Sequence, residues 1–260
     1  VTIIPEERIK RLNVFDVKDR KFVLYWMQSS HRTECNMALE YAFSWADKLD
    51  KPLVVFFGLA RGFPGANSRH YTFMLEGLRD VAAQLEEIGV KLVVRTQSPE
   101  LGVVDLSKDA CFAVADKGYM KPLRQWYSFA AANMRCPLVQ VEDNVVVPVE
   151  AASIKEEYSA ATLRPKIQKK RERFLHTPRQ RKPKKGSSGL KFDSVDLADV
   201  EAVVSALGAE KSVSTVRGFK GGSSEAAKLL INFVENKLSV YPELKNDPTV
   251  DFTSNLSAYL

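Results

Sequence analysis

The chain has 260 residues, 45% of them hydrophobic and 27% charged, with a formal net charge of +6. That length fits one large α/β domain, or one ordinary domain plus part of another, and the composition excludes a disordered or fibrous protein. No apolar run is long enough to span a bilayer, and the N-terminal stretch has no signal-peptide core. Three widely spaced cysteines, Cys35, Cys111 and Cys136, make neither a disulfide framework nor a zinc site, so no metal ligand set is expected. These readings point to buried thiols in a reducing cytoplasm and to no membrane partner.

The first 150 residues alternate short apolar runs with longer amphipathic ones. Phe22–Met27 reads as a strand, and Glu34–Lys48 after it as a helix with Thr33 as N-cap. Pro52–Leu59 is the second strand. It leads to a helix at Arg69–Ile88, capped by Ser68, closed by Gly89, and carrying a core stripe of Phe73, Leu78, Val81 and Leu85. Val90–Arg95 and Cys111–Asp116 are the third and fourth strands, Met120–Met134 is a further helix, and Leu138–Glu142 is the fifth strand. Near-continuous apolarity marks strands buried on both faces, so the expected fold class is α/β with a doubly wound parallel five-stranded sheet. Such sheets bind ligands at the carboxyl ends of their strands, which singles out Met27, Gln28 and Arg32 as lining a pocket after the first strand. No GxGxxG follows that strand and no GxxxxGK[ST] occurs, so the dinucleotide dehydrogenase and P-loop readings lose their usual support.

Beyond Glu150 the pattern changes. Ser153–Tyr158 begins a helical stretch, and Arg164–Lys185 then holds eleven Lys or Arg against one acid, Glu172. This segment alone carries +10 against a whole-chain +6, which leaves the rest of the chain at −4. A local run of this kind suits a polyanion, the alternative being a solvated linker. It is expected to be helical to about Phe174 and mobile at Lys184–Gly189, where glycine and serine accumulate. Gly221 and Gly222 precede a helix at Glu225–Val240 with Ser223 or Ser224 as N-cap. Tyr241-Pro242 stops that helix, and Asp247-Pro248 makes a turn. The expected domains are therefore an α/β domain at 1–163, a basic interdomain linker at 164–215, and the start of a helical domain at 216–260.

No residue set makes a convincing hydrolytic site. His31, His70 and His176 are scattered and read as structural or surface residues, and Trp26, Trp45 and Trp126 read as core. Thr253-Ser254-Asn255-Leu256-Ser257 is richer: hydroxyls and an amide ahead of apolar positions make a helix start suited to phosphate, or else an over-endowed N-cap.

The run from Thr253 to Leu260 resembles the T-S-x-L-S-P-Y-L flavin-phosphate motif of the photolyase/cryptochrome family, with Ala258 in place of proline. Tyr241 and Lys245-Asn246-Asp247-Pro248 resemble the Tyr…Arg-Asn-Asp-Pro stretch of its class II members, with Lys245 where arginine is usual. Tyr25-Trp26-Met27-Gln28, Arg32, Asn36 and Ala38-Leu39 are similar to the family's opening. Arg69–Leu78 and Thr162–Ile167 are similar to its R-H-Y-x-F-M-L-x-G-L and T-L-R-P-K-I elements.

The resemblance implies a Rossmann-like, antenna-type N-terminal domain followed by an all-helical FAD-binding domain. It also implies light-driven repair of cyclobutane pyrimidine dimers in DNA, with an electron passing from excited reduced FAD to a dimer flipped out of the duplex. Tyr241, Thr253, Ser254, Asn255, Leu256 and Ser257 are then expected at FAD and Lys245 at DNA. A deazaflavin or second flavin is the expected antenna near Met27, Gln28 and Arg32, and a monomer is expected. Family members are longer, so the chain is expected to be an N-terminal portion without the catalytic residues proper. Two other readings stay open: a cryptochrome-like photoreceptor without repair, and a non-catalytic nucleotide- or nucleic-acid-binding module.

Overall fold

The computed structural model describes residues 4–175, 178, 181–216 and 218–259, so His176, Arg179 and Leu260, singled out from the sequence, fall outside the described residues. These residues group into two compact units, one comprising Val1–Arg61 with Gln84–Val195 and the other Gly62–Ala83 with Asp196–Leu260.

The first unit is built on a six-stranded sheet: β1 (Ile9–Arg11), β2 (Phe22–Trp26), β3 (Leu53–Gly58), β4 (Lys91–Arg95), β5 (Ala110–Asp116) and β6 (Leu138–Val141). The order is β1-β6-β5-β2-β3-β4, and every pairing is parallel except β1 with β6. The five expected strands are all present, and β2, β3, β5 and β6 are buried along their whole length. The sixth, β1, was not anticipated. Its Ile-Lys-Arg sequence is too short and too charged for an apolar pattern, yet it pairs Ile9 with Val141 and Arg11 with Val139.

The helices are α1 (Met37–Leu49), α2 (Ser68–Glu87), α3 (Pro99–Leu106), α4 (Lys121–Asn133), α5 (Val149–Ala152), α6 (Ala160–Phe174), α7 (Val200–Leu207), α8 (Ser223–Asn236) and α9 (Tyr241–Leu244). Helix α1 starts later than expected because Cys35 takes a left-handed φ of 49°. Asn36, not Thr33, caps it by accepting from the Leu39 amide at 2.8 Å. Thr33 instead hydrogen-bonds Gln84. Ser68 is the first residue of α2, and the carboxamide of Asn67 accepts from the Arg69 amide at 3.1 Å. The buried residues of α2 are Tyr71, Leu75, Leu78, Val81 and Leu85, whereas Phe73 is only half-buried. Helix α3 was also missed. Its Gly102 packs so closely on the Phe56 ring that a Cβ there would collide with it. Ser153–Tyr158 is not helical but separates α5 from α6.

The basic segment departs most from expectation. It is helical to Phe174 in α6, but Lys184–Gly189 is not a mobile tip. Ser187 is buried, its amide donates to Gly89 O at 2.8 Å, and its hydroxyl accepts from the Lys91 amide at 2.7 Å. Farther on, the Ser194 hydroxyl accepts from the Val94 amide at 2.9 Å and the Val195 amide donates to Val94 O at 2.8 Å. Residues 187–195 thus strap the free edge of β4, satisfying backbone groups that an edge strand leaves open. Upstream, Arg181 approaches the buried carboxylate of Glu40 at 3.2 Å.

In the second unit α8 begins at Ser223, and neither serine caps it through its own side chain. Asp80 caps it instead, with Oδ2 accepting from the Ser224 amide at 2.9 Å and Oδ1 from the Ser224 hydroxyl at 2.7 Å. Gly221 donates its amide to Glu76 at 2.7 Å and lies where any Cβ would strike the Phe73 carbonyl. Tyr241 and Pro242 do not simply end the preceding helix but open the short α9.

Two measurements check this packing. A Cβ at Gly58 would lie 2.5 Å from Pro99 Cα, a backbone atom that cannot swing away. Gly58→Ala is therefore expected to destabilise the first unit by about 2–3 kcal/mol in urea unfolding. Burial pushes Glu40 from 4.5 to about 7 against the opposing pull of Arg181. A carboxyl raised on folding contributes stability below its ordinary pKa and loses it as pH rises through the folded one. Between pH 5 and 8 the wild type should thus lose ~2–4 kcal/mol that Glu40→Gln does not lose.

Candidate functional site

The sheet order reverses between β2 and β5, and the polar residues of the first unit converge at the carboxyl ends of these strands. Asp116, the last residue of β5, is fully buried. Its carboxylate accepts from three successive backbone amides, Gln28 at 2.9 Å, Ser29 at 2.9 Å and Ser30 at 2.8 Å. The Tyr25 and Tyr127 hydroxyls donate to it at 3.3 and 3.4 Å, and Asn36 Nδ2 donates to the Tyr25 hydroxyl at 3.0 Å. Desolvation pushes the Asp116 carboxyl above the usual range while the three amides pull it down. Desolvation, with the Asp116 charge beside them, holds both tyrosines well above their ordinary value.

A second polar group lies beyond β6. Asp143 pairs with Arg32 and accepts from the Met37 amide at 2.6 Å, tying the segment after β6 to the start of α1. Buried Arg8 donates to the carbonyls of Glu142 and Val145, both at 2.9 Å, and its guanidinium lies 5.5 Å from the Phe174 ring centre. A small cavity of about 240 Å³ opens here, lined among others by Arg8, Cys35, Met37, Asp143 and Phe174.

The structure places the residues nominated after the first strand as follows. Met27 is fully buried. The Gln28 carboxamide is engaged on both sides, donating to Gly58 O at 3.0 Å and accepting from Trp26 Nε1 at 3.0 Å and the Gly58 amide at 3.2 Å. Arg32 is held by Asp143, and the loop amides by Asp116. The side chain of Gln28 and the loop amides are thus engaged within the protein, and Arg32 stays half-exposed. His31 sets its ring edge-on to Phe57 at 5.0 Å, and desolvation lowers its imidazole to about 4, so it is neutral at pH 7.

The hydroxyl-rich run lies in the second unit as a loop leading into a helical turn at the end of the described residues. Asn255 takes a left-handed φ of 55°, and Ser257–Tyr259 form one 3-10 turn. Asn255 Nδ2 donates to Asp251 at 2.9 Å, and Asp251 pairs with Lys237 at 2.9 Å. Thr253 and Ser257 are exposed, and the Ser257 hydroxyl has no protein partner among the described residues. Tyr241 packs edge-on against Phe233 at 5.4 Å, with the Lys245 ammonium 5.7 Å from its ring centre. Exposed hydroxyls on a loop whose neighbouring carboxylate, Asp251, pairs with lysine suit a diphosphate, which takes neutral donors without a buried countercharge.

A doubly wound α/β unit joined to a helical one, with a hydroxyl loop in the latter, defines a two-unit class of α/β protein. The chain belongs to the DNA photolyase family, whose pattern matches residues 23–184, more than half its length. It is 44% identical over 262 residues to the deoxyribodipyrimidine photo-lyase of Methanothermobacter thermautotrophicus, covering 99% of this chain and 57% of that protein. It is 31% identical over 240 residues to the one from Potorous tridactylus, covering 91% and 44%. The chain thus spans about half the length of the curated relatives it matches. Among solved structures, a Synechocystis sp. PCC6803 cryptochrome has a similar fold, with a TM-score of 0.73 at 15% identity over 93% of this chain and 53% of that one. A class III photolyase from Agrobacterium tumefaciens gives 0.69 at 16%, over 93% and 50%.

Sequence reasoning missed Asp116 as the centre of its site, although a carboxylate closing the apolar run Cys-Phe-Ala-Val-Ala was a visible signal. Asp116→Asn would set an NH2 group among donors that need an acceptor. It is expected to cost about 2–4 kcal/mol in equilibrium unfolding, with the near-ultraviolet signal of Tyr25 and Trp26 altered.

Proposed function

We propose that the chain serves, within a protein of its relatives' length, as part of a class II photolyase that repairs cyclobutane pyrimidine dimers. The observation that carries this reading is the 44% identity, over 99% of the chain, to a protein named deoxyribodipyrimidine photo-lyase. The class II assignment rests on the Tyr25–Gln28 and Arg69–Leu78 stretches and on Tyr241 with Lys245–Pro248. Bound FAD in its reduced form supplies, on absorbing light, the electron that opens the dimer. The part of this chain is to hold that cofactor. The hydroxyls of Thr253, Ser254 and Ser257 and the main-chain amides around Leu256 grip the diphosphate, Asn255 fixes the loop's turn, and Tyr241 contacts the cofactor nearby. Lys245, exposed beside Tyr241, contacts the DNA backbone. Three free cysteines support a reducing, cytoplasmic setting, and we take the protein to act as a monomer.

Each charge-assisted bond is worth roughly 1.5–3 kcal/mol, so Thr253→Ala with Ser257→Ala is expected to weaken FAD binding about a hundredfold or more. Flavin absorbance co-eluting with the full gene product at limiting FAD measures this, and equal occupancy removes the loop from the cofactor site. Blue-light repair of a dimer-containing oligonucleotide by the flavin-loaded wild type tests the activity. Bound flavin without repair would indicate a cryptochrome-like photoreceptor instead.

A further inference from the structure

The sequence offers the basic run as a whole to a polyanion, but the fold divides it. In the distal part, Arg181 faces Glu40 at 3.2 Å, the Lys184 amide donates to Asp47 at 3.3 Å, and Lys185 pairs with Asp50 at 2.6 Å. Here the charges of Arg181 and Lys185 are matched by acids of α1, whereas Lys184 makes its contact through its backbone amide. The proximal part is different. Lys166, Lys169, Lys170 and Arg173 recur at i, i+3, i+4 and i+7, which sets them on one side of α6. All four line an open groove of about 660 Å³, whose other wall includes Lys155 and the almost fully exposed Ile154. Leu163 and Ile167 pack on the small core of Val147, Ala152 and Phe174, whose Ala152 and Phe174 form the floor of the groove.

The acids near this groove are already matched. Glu7 pairs with Arg173 and Glu157 with Lys166, while Glu150 lies 3.7 Å from Lys117 and 3.9 Å from Lys10. Lys170 donates to the Ala151 carbonyl. Lys155 and Lys169 are exposed and meet no carboxylate among the described residues, and neither do Arg164 and Arg171 on the opposite flank of α6. The groove therefore presents a net positive field. At about 1.5 Å rise per residue the stripe from Lys166 to Arg173 is about 10 Å long, the axial span of about three phosphates on one strand of a duplex.

We propose that this groove along α6 is a second, sequence-independent DNA contact on the α/β unit, seating the phosphate backbone of undamaged duplex. It is separate from the flavin loop and needs neither cofactor nor lesion. It keeps the protein on DNA away from a lesion, because backbone contact alone carries no sequence or damage information.

The test uses the full gene product in the dark with a fluorescein-labelled, undamaged 20-base-pair duplex, read by anisotropy across a salt series. Lys155→Glu with Lys169→Glu removes two cations that hold no structural bond. At about 50 mM salt it should weaken binding roughly tenfold or more and reduce the slope of log K against log salt by about 2. Lys18→Glu with Lys121→Glu changes the net charge equally at exposed positions away from the groove and should leave the slope unchanged. An equal loss in both pairs would assign the binding to overall charge. An unchanged groove variant, or a wild type that does not bind at this salt, would equally overturn the proposal. Should the reversal disturb folding, the neutral pair Lys155→Gln with Lys169→Gln must still lower the slope, or the proposal falls. Loss of repair or of flavin binding has no bearing on this readout, so the two readings stand or fall separately.

Discussion

The carboxylate of Asp116 joins the two central strands at the point where the sheet reverses direction. Burying it without partners would be prohibitive, so three loop amides and two tyrosine hydroxyls meet it at once. Those amides are arranged as a loop would arrange them around a bound anion at the end of a parallel strand. Here the anion is the protein's own. The path of the chain from β2 to α1 is thereby fixed. Asn36 completes the arrangement, because the same carboxamide that caps α1 also donates to the Tyr25 hydroxyl.

From that anchor the charges of the first unit sort into two kinds. Arg8, Arg32 and Asp143 are largely withdrawn from water and tie the segment after β6 to neighbouring backbone, so they act as fixed geometry. The basic run is split by the same logic. Against α1, the charges of Arg181 and Lys185 are matched by Glu40 and Asp50, and the Lys184 amide is held by Asp47. Along α6, where the neighbouring acids already have partners, charge remains for an external polyanion. Net charge in the sequence could locate the run but not divide it, since the division depends on which acids the fold brings opposite.

The central strands were legible because burial on both faces leaves an unbroken apolar run that few other structures need. Strand β1 was not, since pairing on one edge and two charged residues in three leave no pattern. Helix α3 escaped for a related reason: its glycine at 102 reads as a breaker and is in fact required by contact with Phe56. The Gly-Ser stretch at 186–189 shows the same ambiguity. Small residues mark a flexible linker, but they also mark a close approach, and Gly186 lies against the Gly89 carbonyl while Ser187 bridges to β4. For the cofactor loop, the motif from Thr253 to Ser257 carried identity but not shape, because the left-handed turn at Asn255 depends on its bonds to Asp251.

That dependence extends through the whole second unit. Helix α8 is amphipathic yet has no buried residue, and its Leu230, Ile231 and Val234 are all exposed. The first turn of α8 is held where Asp80 and Glu76 grip the glycine-serine junction. Lys237 follows directly on its last turn and holds Asp251, which in turn holds Asn255. The hydroxyls of Thr253 and Ser257 are thus positioned through a relay that starts at Asp80 on α2. Asp80 is held below its ordinary carboxylate range by the serine donors, whose pull outweighs its burial, so this cap is charged at neutral pH. An anion at a helix N-terminus favours the helix dipole, which links the electrostatics of one turn to the placement of the loop at its far end.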